Sequence, residues 1–480
     1  MIRLTWVQPE DLLGHELRQA QEEGRDTTTI QTRWLAAGGS LAPPRAGASS
    51  PPAPAHLRTL AEHLLTELSE LTAPLLWAGV PQGEWGLPCS SEAESLGKGG
   101  HNPTRRAPTK QPQGVTRNRL HAAWLGRAAG CLLGKPVEKL PLHGIRSLAK
   151  ATGNWPLNTW FTAEGVPQDL KQAYPWNKRS AKTSLAENIT GMPEDDDLNY
   201  PLLNLRLLQR HGKTFTTTDV ARLWLDELPA ARTFTAERIA YRNLLNGIEP
   251  PHTATHHNPF REWIGALIRA DVHGWTNPGA PAKAAEQAHR DAALTHTANG
   301  VYGAMFAAAT IAEAAAGTDD VHHCLRTGLT VVPEDSRLAR AVRHGIQLAR
   351  EQSHFDHVVD ELHTTYGHYH WVHVVPNAAL LAAALTHAEG DFTGSITRAV
   401  SGGWDTDSNG ATAGSIAGLL AGHPDALPDR WTSPLENRLA TSVAGFDGIG
   451  FDTLADLTTE LAHETNTADP THATQETPHP

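Results

Sequence analysis

The sequence predicts an all-α protein, in which a compact multi-helix domain follows a partly helical, linker-rich N-terminal extension. Apolar residues recur every three or four positions along most of the chain, and the alternation typical of strands is nearly absent. Apolar residues also make up 40% of the 480 positions, enough for a sizeable core. One exception is 371–375, where β-branched and aromatic residues closed by Pro376 predict a short strand.

The first part of the chain alternates helical patterns with segments of low complexity. Residues 12–22 and 56–71 have helical periodicity, whereas 39–55 consists mostly of Pro, Ala, Gly and Ser and predicts a mobile linker. These changes in composition divide the chain into an N-terminal extension at 1–85, a low-complexity linker at 86–115, a main domain at 116–462 and a disordered tail at 463–480.

Helical patterns dominate the main domain, so we expect the loops between helices to supply the chemistry. The first pattern covers 119–134, and Pro136 ends it. The later patterns cover 198–209, 219–225, 236–245, 263–269, 282–294, 302–316, 336–350, 378–387 and 410–420.

Two of these predicted helices carry glycine at every fourth position. Glycine inside a helix costs about 1 kcal/mol relative to alanine, so three at one spacing indicate close backbone packing. We expect both stripes to lie against neighbouring central helices, and they are candidates to face each other. The stripes are Gly126, Gly130 and Gly134 in the first helix, and Gly410, Gly414 and Gly418 in the second.

Composition and charge exclude several classes of protein. A formal charge of −12 argues against general nucleic-acid binding, which requires a basic face. No apolar run approaches the roughly 20 residues of a membrane span, and the N-terminus lacks the pattern of an export signal. The three cysteines match no disulfide or metal spacing, so we expect a reducing, cytoplasmic location.

Two acidic segments, far apart in the sequence, each precede an apolar helical pattern. The residues of 194–197 are all acidic, and adjacent carboxylates repel one another without cations. The second segment contains Asp405, Asp407 and Ser408. Either segment could simply cap its helix, since Asp and Ser are common N-caps. Together they could instead hold two metal ions in one pocket.

With these residues the chain resembles the ADP-ribosylglycohydrolase family, and within it the dinitrogenase reductase-activating glycohydrolase type. The resemblance spans about 119–460 and implies an all-α fold around a two-metal site. It does not cover the N-terminal extension. The resemblance rests on the first glycine stripe with Pro136 and Glu138, the cluster Asp195, Asp196 and Asp197, the segment 264–269, the pair Thr295 and His296, and Gly403, Asp405, Thr406 and Asp407.

Carried over by position, the resemblance implies roles for individual residues. Glu138 matches a mobile glutamate near the scissile bond. Gly265, Ala266 and Arg269 belong to a loop that cradles the distal ribose and pyrophosphate, and His296 lines that pocket or is a structural core histidine. The metal ligands implied are Asp195, Asp196, Asp197, Asp405, Asp407 and Ser408, with a one-residue shift to Glu194 as an alternative.

The function implied is hydrolysis of the glycosidic bond at the distal ribose of an ADP-ribosylated protein or ribosylated small molecule. Two divalent cations, Mg²⁺ or Mn²⁺, would assist the reaction. Glu138, Asp196 and Asp197 are the candidates for acid/base catalysis. Two alternatives remain open: a hydrolase of another N-ribosylated small molecule or nucleoside, and a non-catalytic ADP-ribose binder.

The segment 368–373 concentrates aromatic and imidazole rings. His370 and Trp371 could form a wall for a nucleobase or sugar. A half-buried structural strand explains the same residues equally well. A zinc site is the weakest interpretation, because no further ligand follows at a familiar spacing.

Overall fold

The computed structural model describes residues 4–41, 52–71 and 115–464. These ranges contain many helices and no β-strand, so the all-α prediction is confirmed. None of the helices in them is long and apolar enough to cross a membrane. The α-helices are α1 (Pro9–Glu22), α2 (Thr28–Ala36), α3 (Ala55–Glu70), α4 (Arg117–Gly134), α5 (Leu142–Ala151), α6 (Gln168–Ala173), α7 (Ala181–Ser184), α8 (Asp196–His211), α9 (Thr217–Glu227), α10 (Thr235–Leu245), α11 (Asp271–Trp275), α12 (Pro281–Ala292), α13 (Ala298–Ala315), α14 (Val321–Leu329), α15 (Arg337–Glu351), α16 (Phe355–Tyr366), α17 (Val374–His387), α18 (Phe392–Ser401), α19 (Thr406–Ala421), α20 (Asp429–Thr432) and α21 (Phe451–His463).

The low-complexity segments fall mainly outside the described residues. This applies to most of the linker expected at 39–55 and to almost all of the linker at 86–115 and the tail at 463–480. The helical pattern at 263–269 corresponds to a 3-10 helix, Ile264–Arg269.

The strand predicted at 371–375 is wrong. The only strand-like feature there is an isolated bridge between Trp263 and His373, and α17 begins at Val374. Pro376 lies in the first turn of α17, where a missing backbone N–H costs no helical hydrogen bond. The His373 ring caps this helix by accepting the N–H of Val375 at 3.2 Å.

The two glycine stripes face each other between α4 and α19. A Cβ on Gly130 would lie 1.9 Å from the carbonyl oxygen of Gly410, and one on Gly126 would lie 2.2 Å from that of Gly414. The Thr406 hydroxyl donates to the carbonyl of Gly134 at 2.8 Å. This packing confirms the prediction and brings the end of α4 beside the start of α19.

Helix α8 reaches the same place through a buried arginine of α4. The Arg127 guanidinium donates to the carbonyl of Asp197 at 2.8 Å and to the carboxylate of Asp271 at 2.8 Å. Because Asp197 lies in the first turn of α8, Arg127 holds the acidic start of α8 against α4. Two acidic helix starts and the end of α4 therefore converge.

The N-terminal helix α1 packs on the main domain through buried ionic contacts. The Arg261 guanidinium donates to both oxygens of Glu16, at 2.7 and 2.9 Å, and to Glu23 at 2.8 Å. The Gln19 amide donates to Glu262 at 2.9 Å. These contacts fix α1 beside the 3-10 helix Ile264–Arg269.

Candidate active site

A cavity of about 400 Å³ opens where α4, α8 and α19 converge. Its walls also include the 3-10 helix Ile264–Arg269 and the first turn of α10 with the segment before it. Among the sequence-predicted site residues, the cavity is lined by Glu138, Asp195, Asp196, Asp197, Gly265, Trp371, Asp405, Asp407 and Ser408.

The first acidic group in this cavity joins the end of α4 to the start of α19. Glu138, Asp405 and Asp407 each place a carboxylate oxygen within 4.8 Å of the others. Glu138 also accepts hydrogen bonds from the Asn177 amide at 2.6 Å and from Lys139 at 2.8 Å. Asp405 occupies the N-cap position of α19, yet its side chain makes no capping hydrogen bond. Helix capping therefore does not account for its carboxylate.

The pKa values of Asp405 and Asp407 are both raised, because no nearby positive charge fully compensates their carboxylates. Burial, followed by repulsion from Asp407 and Glu138, raises the pKa of Asp405 well above its ordinary value. Burial and the charges of Glu138 and Asp195 raise the pKa of Asp407 to about 7. Three converging oxygen donors, of which those of Asp405 and Asp407 are buried and that of Glu138 is half-buried, suit a hard divalent cation, which would remove this repulsion. These residues thus fit Mg²⁺ or Mn²⁺.

The second acidic group, at the start of α8, is already paired with protein groups. Asp195 caps α8 by accepting the N–H of Asp197 at 2.9 Å, and its other oxygen pairs with the Lys135 ammonium. Although burial acts to raise the pKa of Asp195, Lys135 holds it below its ordinary value. Capping is thus part of the role of Asp195.

Asp197 and Asp196 differ in their surroundings. Asp197 is buried and contacts the Arg127 guanidinium at 3.4 Å, the Ser408 hydroxyl at 3.4 Å and the Cys131 thiol at 3.9 Å. Asp196 is less buried and lines the cavity. Burial and the Asp195 charge raise the pKa of both carboxyls well above the ordinary value.

The candidates for substrate binding separate into two layers. Gly265 and Trp371 line the cavity, whereas Ala266, Arg269, His296 and His370 lie behind its wall. Arg269 is held behind the wall by two buried carboxylates. Its guanidinium donates to Glu237 at 3.0 Å and to Asp291 at 2.9 Å. His370 stacks on Trp263, with ring centroids 4.2 Å apart.

His296 is one residue of the buried layer. Its Nδ1 lies 2.6 Å from the Thr295 hydroxyl, and burial, with the nearby Arg269 charge, lowers its pKa well below the ordinary value. Its buried Nε2 has no hydrogen-bond partner among the described residues, so the choice between a pocket histidine and a structural core histidine stays a prediction.

Several cavity residues were not singled out from the sequence. Glu237 lies under Gly265, and a Cβ added to Gly265 would come within 2.1 Å of a carboxylate oxygen of Glu237. No local pattern identifies these residues, because they reach the cavity only through tertiary packing. They include Trp6, Lys135, Lys139, Asn177, Arg179, Arg232, Phe234 and Glu237.

Comparison with known proteins identifies the family. A protein-family model described as ADP-ribosylglycohydrolase matches residues 112–471, about three quarters of the chain. The chain belongs to the ADP-ribosylglycohydrolase family. This ADP-ribosylglycohydrolase domain begins after α3, so Trp6 reaches the cavity from outside the family match.

The other comparisons add little to this assignment. A solved structure titled "ADP-ribosylglycohydrolase-related protein complex" is 20% identical, with a TM-score of 0.46, over 72% of this chain and 97% of that chain. A likeness at this level supports no inference about function. Among curated proteins, the chain has no significant match.

Proposed function

We propose that this protein is a metal-dependent hydrolase that cleaves the glycosidic bond at the distal ribose of an ADP-ribosylated substrate. The observation that carries the proposal is the convergence of Glu138, Asp405 and Asp407 with Asp196 in one cavity. The family is one of ADP-ribosylglycohydrolases, which is consistent with this activity. Our proposal includes the dinitrogenase reductase-activating type and a reducing, cytoplasmic location, where the buried thiols Cys131 and Cys324 stay free.

The acidic groups have two tasks in this proposal, holding the cation and moving protons, and Glu138 is a candidate for both. Glu138, Asp405 and Asp407 would hold the divalent cation, and Ser408 and Asp197 lie beside them. The cation would supply Lewis-acid charge to the reaction. Asp197 is held by Arg127 and Ser408, so its carboxylate has a fixed direction.

Proton transfer is assigned to Asp196 or Glu138. Cleavage of a ribosyl bond passes through an oxocarbenium-like state and requires a base for water and an acid for the leaving group. Burial and the Asp195 charge raise the pKa of Asp196, which is the direction that favours a proton donor. Glu138, oriented by Asn177 at 2.6 Å, can accept a proton from water.

Cations and an aromatic ring on the cavity wall suit a nucleotide. Lys139, Arg179 and Arg232 lie at the cavity and can pair with phosphate oxygens. Trp371 offers a face on which a nucleobase can stack.

One observation favours a second candidate substrate, an N-ribosylated small molecule or nucleoside without a diphosphate. Glu237 lies directly under Gly265, where the resemblance places the pyrophosphate cradle. Its carboxylate, which pairs with the Arg269 guanidinium at 3.0 Å, offers only acceptors, so it can bind hydroxyl or amino groups but donates nothing to a diphosphate.

The deciding experiment is a turnover panel of ADP-ribosyl-arginine, ADP-ribosyl-serine and simple N-ribosides, with Mg²⁺, with Mn²⁺ and with chelator. We expect turnover of an ADP-ribosylated compound that chelator abolishes. Turnover of N-ribosides alone would support the second candidate. ADP-ribose binding without any product would identify a binder, and activity in chelator would refute the metal-dependent mechanism.

A further inference from the structure

Lys135 lies between the two acidic groups of the candidate active site. It follows Gly134 at the end of α4, where a Cβ on Gly134 would come within 2.3 Å of the Thr406 backbone. The backbone of Lys135 is therefore fixed beside the first residues of α19. Its side chain is 7% exposed and points to the start of α8.

The ammonium of Lys135 uses the acceptors that a second cation would need. It pairs with one carboxylate oxygen of Asp195 and donates to the carbonyl of Glu194 at 3.3 Å. The other oxygen of Asp195 accepts the N–H of Asp197 at 2.9 Å. Both oxygens of Asp195 are thus engaged, and a buried ammonium is costly to leave unpaired.

Asp196, which contacts Asp195, is assigned to proton transfer in the proposed function, and the other donors near Asp195 are poor replacements. The group that includes Asp195 is completed by Asp197 and by the thiol of Cys131, within 4.8 Å of one another. Thiols are soft ligands, whereas Mg²⁺ and Mn²⁺ prefer oxygen. Asp197 already contacts the Arg127 guanidinium and the Ser408 hydroxyl. The group of Glu138, Asp405 and Asp407 offers three carboxylates, and the ammonium that pairs with Glu138, that of Lys139, is 45% exposed rather than buried like Lys135.

We propose that the Lys135 ammonium takes the place of one of the two cations expected from the sequence, so that the protein binds a single divalent ion at Glu138, Asp405 and Asp407. This inference rests on the proposed function, because both require a bound metal ion. It adds a separate statement about how many ions bind. Lys135 acts as a fixed positive charge on the α8 side of the cavity.

The test is the number of Mn²⁺ ions bound per chain. The full-length protein is stripped with chelator, dialysed and titrated with Mn²⁺, and bound ions are counted by calorimetry and native mass spectrometry. Electron paramagnetic resonance distinguishes an isolated Mn²⁺ from a spin-coupled pair. We expect one isolated ion in the wild type.

The variant Lys135→Met removes the charge but keeps a long, unbranched side chain. We expect this variant to bind a second ion with a spin-coupled signal, and Mn²⁺ to raise its melting temperature more than that of the wild type. The matched control is Lys139→Met, which removes an ammonium that pairs with Glu138 in the same cavity but is 45% exposed. This control should still bind one ion.

The results test the role of Lys135 separately from the metal-dependent hydrolysis. Two ions in the wild type would overturn the role of Lys135 and leave the metal-dependent hydrolase intact. No ion in the wild type would overturn both. A folded Lys135→Met variant that binds one ion would show that Lys135 does not exclude the second. The wild-type count stands as a test even if the variant does not fold.

Discussion

Burial and neighbouring charges give Asp407 a raised pKa, so its protonation changes near neutral pH. Its pKa is raised to about 7, whereas an aspartate in an unfolded chain has a pKa of about 4. Between these values the folded protein holds a proton that the unfolded chain has lost. The free energy of unfolding of the metal-free protein should therefore fall as pH rises through this window.

This pH dependence can be measured by urea unfolding in chelator between about pH 4 and pH 8. The variant Asp407→Asn removes the titrating group, so its stability should decline less steeply over that range. An equal slope in the variant and the wild type would show that Asp407 does not cause the decline.

Asp407→Ala should also abolish turnover and weaken metal binding, because it removes one of three converging carboxylates. The assays are initial rates with Mn²⁺ and Mn²⁺ titration of the stripped protein. A matched control is Asp456→Ala, whose side chain is 53% exposed and pairs with Arg117 away from the cavity. Wild-type rates in Asp407→Ala would refute its role as a ligand.

Trp371 contributes a ring at the cavity, so Trp371→Ala should raise KM more than it lowers kcat. Stacking of a base on an aromatic side chain contributes about 1–3 kcal/mol, which corresponds to roughly a 5- to 150-fold rise in KM. Trp155→Ala is the control, because Trp155 is also half-buried but lies outside the cavity lining. An unchanged KM in Trp371→Ala would contradict the stacking role.

Among the helices, the contact between α4 and α19 has the least tolerance for added volume. Gly130→Ala would place a methyl group 1.9 Å from a backbone carbonyl that cannot move independently of its helix. We expect a loss of about 3 kcal/mol or more in the free energy of unfolding, at the upper end of overpacking effects. The loss is measured by urea unfolding at constant pH.

The comparison for this effect is Gly153→Ala. Gly153 has φ of 69° and no atom near its Cβ position, so only backbone strain of about 1–2 kcal/mol opposes alanine. A loss in Gly130→Ala no larger than in Gly153→Ala would mean that the helices can separate without cost.

The glycine periodicity was visible in the sequence because a four-residue repeat places every member on one helix face. The segment 371–375 differs from its predicted strand because β-branched residues also occur in the first turns of helices. Only the capping interaction of His373 and the place of Pro376 in the first turn of α17 distinguish the two cases. Propensity could not resolve this without the tertiary contacts.

At the scale of the whole molecule, the N-terminal extension packs on the ADP-ribosylglycohydrolase domain through buried charges. Glu16→Ala would leave Arg261 buried without its two hydrogen bonds to Glu16. Breaking a buried pair typically costs about 3–5 kcal/mol, and Glu23 would offset part of this loss. Thermal and urea unfolding measure the effect.

Glu67→Ala serves as the control for the extension. Glu67 pairs with Arg33, and both side chains are at least 40% exposed, so water replaces the interaction. We expect little change in the unfolding midpoint. Equal effects of Glu16→Ala and Glu67→Ala would show that α1 contributes no buried ionic contact to stability.

The sequence by itself determined the helical class and the set of acidic residues. It also identified the two glycine stripes and made them candidates to face each other. These features depend on local period and on residue chemistry, which a single chain displays directly. The division into domains stays a prediction, as do the roles of the individual site residues.

Only the tertiary structure decided how these residues are paired. It placed Lys135 on Asp195, left Glu138, Asp405 and Asp407 close together, and turned Arg269 into the core. It also brought Trp6 to the cavity. The reason is physical: a buried charge must find a partner, and which partner it finds depends on how helices distant in sequence pack together.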